Sequence, residues 1–193
     1  MTVDKKKRCT WCGSDPLYVD YHDHEWGVPV HDEQRLFEFL ILEGAQAGLS
    51  WITVLKKREA YRQLFADFNP QKIARFTDKR LEKLLLEPGI IRNRLKIFAA
   101  RKNARAFLQI QKEYTSFDHY IWRFVDGKTK HNNFKLLKDC PATTDISVQM
   151  SKDLKQRHFT FVGPTICYAF MQAIGMVNDH TTDCFRYQQL KGT

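Results

Sequence analysis

No stretch of this 193-residue chain reaches the roughly 18 uninterrupted apolar residues that mark a membrane helix. The closest approach, FLILEGAQAGLSWITVL over residues 39–55, is broken by Glu43, Gly44 and Gly48. No secretory leader is legible either, because Lys5, Lys6, Lys7 and Arg8 run into Cys9, Thr10 and Trp11 rather than into an apolar segment. The expectation is a cytoplasmic protein with no membrane partner. Internal repeats and low-complexity tracts are also missing. Five cysteines in a reducing compartment make no disulfide framework, which leaves metal binding or buried thiols. Strand-like alternation is scarce, so the chain reads as all-α. Its length suits a single domain, residues 1–193, with a substantial core.

What is present in excess is positive charge: 31 Lys and Arg against 22 Asp and Glu give a net +9. A surplus of this size favours a polyanionic partner such as nucleic acid, although solubility alone accounts for it as well.

Helix punctuation is frequent. Asp32 caps a helix to about Ala47, Gly48 ends it, and Ser50 opens another from Trp51 to about Phe65. Asn69-Pro70 is an N-cap followed by proline at the first helical position. Thr77 starts a helix that stops at Pro88-Gly89, a long helix runs from about Ile91 to Gln111, and Ser116 opens one through about Val125. Residues 126–143 read as an irregular connection. Asp145 starts a helix to about Arg157, Pro164 starts the last one, which Gly175 closes, and Phe159 to Val162 reads as an extended segment.

Glu43 is the only formal charge between residues 39 and 55. On a helix, Leu36, Leu40, Glu43 and Ala47 share one apolar face. An ionised carboxylate buried there without a partner is costly. Either Gln46 or a helix end satisfies it, or it faces a cavity that receives something polar or cationic. Trp11, Tyr18, Tyr21, Trp26 and Trp51 crowd the flanking segments. Rings of this kind are ordinary core material. Combined with a buried carboxylate they make a slot for a flat cation, with stacking on the faces and a counter-charge at the edge.

Two further constellations stand out. Cys9, Cys12, His22 and His24 lie near the start, and His180 and Cys184 lie near the end at a spacing of i, i+4. Tetrahedral zinc takes four such ligands, and ligands drawn from both ends make a closed, structural clasp. Spacing does not say which four. Residues 84–91, LLLEPGII, join two helices by a short turn, with Arg92, Arg94 and Lys96 following. Backbone N–H groups at a helix start favour an anion, and nearby cations add phosphate affinity. A plain helix connection with a solvated basic face explains the same residues.

Taken together, the chain resembles the DNA-3-methyladenine glycosylase I family over nearly its whole length. The matching stretches are Cys9-x-Trp11; Asp15-Pro16-Leu17-Tyr18 with Tyr21-His22-Asp23-x-Glu25-Trp26-Gly27-Val28-Pro29; Leu42-Glu43-Gly44-x-Gln46-Ala47-Gly48-Leu49-Ser50-Trp51; Gly89-Ile90-Ile91-Arg92; and Phe161-Val162-Gly163-x-Thr165-Ile166-Cys167-Tyr168 leading to Val177-Asn178-Asp179-His180. No one of them is diagnostic, but five in order are specific. The resemblance implies a helix-hairpin-helix DNA glycosylase fold, with a structural zinc on Cys9, His22, His180 and Cys184 clasping segments 1–30 and 176–193. It implies that Glu43 is the catalytic, base-reading residue, in a pocket of Trp11, Tyr18, Tyr21, Trp26, Gln46 and Trp51. DNA contacts would fall on Gly48, Leu49, Gly89, Ile90, Arg92, Arg94, Gly163 and Thr165, with Gly48-Leu49 filling the gap left by a flipped nucleotide. The implied activity is hydrolysis of the N-glycosidic bond of 3-methyladenine in double-stranded DNA by a monomeric enzyme. The wider helix-hairpin-helix glycosylases carry a catalytic Asp some 20 residues past the hairpin. Here residues 104–117 contain no Asp, only Glu113, as the glycosylase I branch implies.

Two other classes compete: a non-catalytic zinc-stapled DNA-binding module, and a cysteine hydrolase using Cys167 or Cys12. Cys167 sits in the apolar run Ile166 to Met171 and reads as a buried thiol.

Overall fold

The computed structural model describes residues 6–192, so Lys5 of the leading basic run falls outside the described residues. Among these, the helices are α1 (Pro16–His24), α2 (Glu33–Gln46), α3 (Trp51–Leu55), α4 (Arg58–Leu64), α5 (Pro70–Ile73), α6 (Asp78–Leu84), α7 (Arg94–Tyr114), α8 (Phe117–Trp122), α9 (Asp145–Gln156), α10 (Pro164–Ala173) and α11 (Phe185–Lys191). Two-residue strands β1 (Lys130–His131) and β2 (Val177–Asn178) pair in parallel. The chain is mostly helical, as its sequence indicates. No helix among the described residues is long and apolar enough to cross a membrane.

The organising element is α2. It is apolar on nearly all sides, so it sits inside the molecule, against α3, α7, α8 and α10. Leu36, Phe37, Phe39, Leu40 and Leu42 are all buried. The Asp32 side chain caps its first turn by accepting from Arg35 N at 2.8 Å. Glu33 then reaches across to accept from Phe117 N at 3.0 Å and Asp118 N at 2.7 Å, capping α8 from outside. Core truncations in such a helix cost about 2–5 kcal/mol.

Several boundaries differ from the sequence reading. The helix expected over 51–65 is two helices, broken at Lys56 and Lys57. The break turns Arg58 inward, where it donates to Glu38 at 2.5 Å and to Glu25 at 2.8 Å. The long helix begins at Arg94 rather than Ile91, because the Asn93 side chain accepts from Lys96 N and fixes the cap there. Residues 159–162 form no strand, and the only strand pairing among described residues joins the 126–143 connection to Val177–Asn178. Instead Asn103 of α7 clamps the Thr160 backbone by two bonds, from Asn103 Nδ2 to Thr160 O at 3.0 Å and from Thr160 N to Asn103 Oδ1 at 2.9 Å. That clamp holds the turn leading into Gly163 and α10.

Candidate base pocket and metal cluster

Glu43 lies in the last turns of α2 and is 3% exposed. Its Oε2 is buried without a hydrogen-bond partner. Neither Gln46 nor a helix end satisfies it. Burial alone pushes its carboxyl up to about 8, since nothing nearby stabilises the charged form. The carboxyl faces a cavity of about 210 Å³, a size that suits one flat fragment rather than a drug-sized ligand.

Each implied pocket residue lines that cavity: Trp11, Tyr18, Tyr21, Trp26, Glu43, Gln46 and Trp51. Four elements supply them, with Trp26 coming from the turn just after α1. The Thr10–Cys12 turn of 3-10 helix gives Trp11, and α1, begun by the Asp15 cap and Pro16, gives Tyr18 and Tyr21. The end of α2 and the start of α3 give Glu43, Gln46 and Trp51. Trp11 meets Tyr18 and Trp26 at centroid distances of 4.9 Å, and Tyr21 meets Trp51 at 5.4 Å. The rings are tilted rather than stacked, so they wall a slot instead of filling it. Burial, with the charge of Glu43, holds the Tyr21 hydroxyl well above its usual range. The indole Nε1 atoms of Trp11 and Trp51 are also buried without partners. One acceptor and two donors thus stand unmatched around a single cavity, where buried polar atoms are normally paired.

The sequence reading missed the other wall. Leu137, Cys140, Ala169, Gln172 and Asp179 close the cavity from the 126–143 connection, α10 and the end of β2. Asp179 Oδ2 accepts from Tyr168 at 2.6 Å and Gln172 at 2.8 Å, and Oδ1 accepts from Asn132 at 2.6 Å. Cys140 donates to the same carboxylate at 3.4 Å. This carboxylate is fully engaged, unlike Glu43. The Val177-Asn178-Asp179-His180 stretch pointed to this segment without giving Asp179 a place.

Beside the pocket, Cys9, His22, His180 and Cys184 are all buried, with their ligand atoms within 4.8 Å of one another. Cys9 Sγ to His180 Nδ1, Cys184 Sγ to His180 Nδ1 and Cys184 Sγ to His22 Nε2 are each 3.5 Å. A tetrahedral zinc with the usual bond lengths has S···N edges of roughly 3.6 Å. The remaining ring nitrogens are oriented from outside. His22 Nδ1 meets the Asp23 carboxylate at 2.7 Å, and His180 Nε2 meets the Trp26 carbonyl at 3.0 Å. Both partners only accept, so the protons sit there and the inward nitrogens keep their lone pairs, the arrangement found around metal-bound imidazoles. Arg8 grips Asp23 at 2.7–3.0 Å. The hydrogen bond from Cys9 and, against the effect of burial, those from His180 and His22 hold the Cys184 thiol far below its usual range, while the same bond and burial raise Cys9. Cys12 instead donates to Cys9 O at 3.2 Å, and exposed His24 pairs with Asp20 at 2.9 Å. The four residues therefore fit a metal ion, and the other two do not join them.

Of the remaining sequence candidates, Ile90 and Cys167 are buried and the others are exposed or half-buried. Gly48 takes φ of +79° directly after α2, a conformation suited to glycine, and Leu49 stands 41% exposed. Lys96 donates to Ala45 O at 2.8 Å and Ala47 O at 2.7 Å, so it caps the C-terminus of α2 and is not the free phosphate contact its position suggested. In the α6–α7 turn, a Cβ on Gly89 would stand 2.8 Å from Ala60 Cβ. Ile90 is buried, Arg92 is exposed, and Arg94 pairs with Glu82. Gly163 and Thr165 sit at the start of α10. Cys167 is buried, donates to Val162 O at 3.4 Å and is pushed up to about 12 by burial, which makes it a poor nucleophile.

Comparison with known proteins bears on all of these features. The methyladenine glycosylase family model matches residues 11–187. A curated DNA-3-methyladenine glycosylase of Haemophilus influenzae is 50% identical over 177 residues, 92% of this chain and 96% of that protein. A crystal structure of 3-methyladenine DNA glycosylase I shares 52% identity and superposes with a TM-score of 0.91, over 93% of this chain and 98% of the other. A point variant of a 3-methyladenine DNA glycosylase I, solved in complex with 3-methyladenine, is 40% identical with a TM-score of 0.90, over 92% and 96% of the two chains.

Proposed function

The chain belongs to the methyladenine glycosylase family, and we propose that its Glu43 pocket is where a 3-methylated adenine, flipped out of alkylated DNA, is read and released. The enzyme is a DNA-3-methyladenine glycosylase in base-excision repair: it hydrolyses the N-glycosidic bond, frees the base and leaves an abasic site. The observation that carries the site assignment is the buried, partnerless Glu43 carboxyl inside a ring of aromatic side chains.

The chemistry follows from the substrate's charge. A base inside duplex DNA is reached only by leaving the stack. Adenine methylated at N3 and attached to sugar is a cation, so it departs as a neutral base and needs no acid to protonate it. Tyr21 and Trp51 bracket the base, and Glu43 accepts hydrogen bonds from its edge and supplies the counter-charge. Unmodified adenine brings no charge to offset ionising a carboxyl held near 8, which is the basis of selection. As the bond stretches, positive charge moves to the sugar, where the DNA phosphates stabilise it. Glu113, the lone acid at the position other glycosylases use, is tied to Arg157 at 2.6 Å and Gln109 at 3.1 Å. That supports a mechanism resting on the held, flipped base rather than on a strong general base.

Cys9, His22, His180 and Cys184 hold a structural zinc, whose contribution is to cross-link the two ends of the chain. Gly48-Leu49 enters the gap left by the flipped nucleotide. The turn at Gly89 and Ile90, in helix-hairpin-helix fashion, lies against phosphates with Arg92 and Arg94, and Gly163 and Thr165 meet the backbone at the start of α10. The pocket is complete within one chain, which supports a single-domain monomer, and its kinship with DNA-repair enzymes supports a cytoplasmic protein acting on double-stranded DNA. A non-catalytic binding module leaves the Glu43 carboxyl without a purpose. The test is chromatography of bases freed from methylated duplex DNA. Release of 3-methyladenine is expected, and a folded, DNA-binding protein that frees no base would end this reading.

A further inference from the structure

Lys135, Leu136, Leu137 and Lys138 form a turn on the far rim of the base pocket, opposite the wall that the sequence reading found. The Leu137 side chain lines the cavity, yet Leu136 and Leu137 are 53% and 48% exposed. Both lysines are exposed. The two leucines make a small apolar step bracketed by cations and held outward, and an apolar patch with a polar rim is the form an interaction site takes.

The exposure is built in. Leu137–Asp139 is a turn of 3-10 helix, closed by Asp139 N donating to Leu136 O at 3.0 Å and Leu136 N donating to Asp139 Oδ2 at 3.1 Å. The flanks are pinned to β2 and its exit. Asn132 N donates to Asn178 O at 3.2 Å, and Thr182 N donates to Phe134 O at 2.9 Å. Asp179 takes bonds from Asn132 on one side of the turn and Cys140 on the other. The scaffold that carries the metal cluster's His180 therefore also fixes this turn.

We infer that the 135–138 turn is a second DNA-gripping element, with Lys135 and Lys138 on phosphates and Leu136 and Leu137 against the sugars and base next to the flipped nucleotide. The inference rests on the glycosylase reading. Of the residues that line the cavity Leu137 alone is exposed, so the cavity opens beside it and the strand that delivers a nucleotide lies against this rim. Phosphates and sugar faces together match what the turn presents: two cations flanking an apolar step.

The experiment uses the full chain and a duplex carrying a tetrahydrofuran abasic analogue, with affinity followed by fluorescence anisotropy between 50 and 200 mM salt. Each lost phosphate contact lowers the slope of log K against log salt by about 0.9. Lys135→Ala/Lys138→Ala is expected to lower the slope by about 2 while leaving affinity for free 3-methyladenine at the wild-type value. Leu136→Ala/Leu137→Ala is expected to weaken duplex binding roughly tenfold with the slope unchanged. Both variants matching wild type would overturn the inference. So would a leucine variant whose only change is loss of self-association in sedimentation, since the cover would then be a second copy of this chain. Wild-type protein in the same buffer must release 3-methyladenine from methylated duplex; if it does not, the glycosylase reading fails, and the role of the turn with it.

Discussion

The carbonyl of Trp26 accepts from His180 Nε2 at 3.0 Å, and the two rings meet edge to face at 4.6 Å. The rings of Trp11 and His22 also meet, tilted, at 5.3 Å. The metal cluster and the base pocket thus share a wall, and an ion that fixes the imidazoles also fixes two of the tryptophans that bound the slot.

Metal loss is therefore expected to reach the pocket. Cys184→Ala should purify without zinc and melt several degrees lower, and its affinity for free 3-methyladenine should fall as Trp11 and Trp26 loosen. Metal content, thermal unfolding and intrinsic tryptophan fluorescence read these three effects. A metal-free protein with unchanged melting would remove the clasp.

Glu43 should make stability depend on pH. Its carboxyl titrates near 8 in the folded protein against 4.5 as a free group. Between those values the folded state holds a proton that the unfolded chain has released, so stability falls as pH rises through that window. Glu43→Gln removes this dependence. Relative to wild type it should gain roughly 3–5 kcal/mol on going from pH 4 to pH 9, at about 1.4 kcal/mol for each pH unit between the two values. Denaturant melts of both proteins across that range measure it, and parallel curves would mean that Glu43 is satisfied in solution.

At the hairpin, the close approach of Gly89 to Ala60 is expected to behave as a coupled pair. Gly89→Ala should cost about 1–3 kcal/mol through overpacking, and Ala60→Gly about 1 kcal/mol from helix propensity. The double variant should be more stable than their sum by at least about 1 kcal/mol. A double-mutant cycle with no coupling would show that the turn relaxes freely.

Lys96 and Arg92 separate capping from phosphate contact. Lys96→Met should destabilise by about 1 kcal/mol, because the Ala45 and Ala47 carbonyls lose their donor, with the salt slope of DNA binding unchanged. Arg92→Ala should lower that slope by about 0.9 at unchanged stability. Salt titrations of duplex binding distinguish the two, and a lowered slope for Lys96→Met would return it to the phosphates.

The residues explain what could be read in advance. Asp32, Thr77 and Ser116 announce α2, α6 and α8 because caps act locally, and the lone charge in an apolar run exposes Glu43. Asp15-Pro16 carries the same signal as Asn69-Pro70 and marks α1, but the polar and aromatic residues that follow lack a helical stripe, so the helix itself is not legible. The break at Lys56 and Lys57 depends on a buried ion pair between Arg58 and residues on α2 and just after α1, which periodicity does not encode. The far wall of the pocket is hidden for a related reason: Leu137, Cys140, Gln172 and Asp179 come from three segments that only tertiary folding brings together. Spacing leaves six candidate metal ligands, and geometry separates the four that converge from Cys12 and His24, which do not.

The most direct test of the pocket is single-turnover release of 3-methyladenine from methylated duplex DNA by wild type and Glu43→Gln side by side, both zinc-loaded and folded. If Glu43 reads the cationic base, the variant should lose at least about 100-fold in release, in line with losing one buried electrostatic contact at a developing charge. Release within a few-fold of wild type would contradict the assignment and leave Glu43 as a core carboxyl.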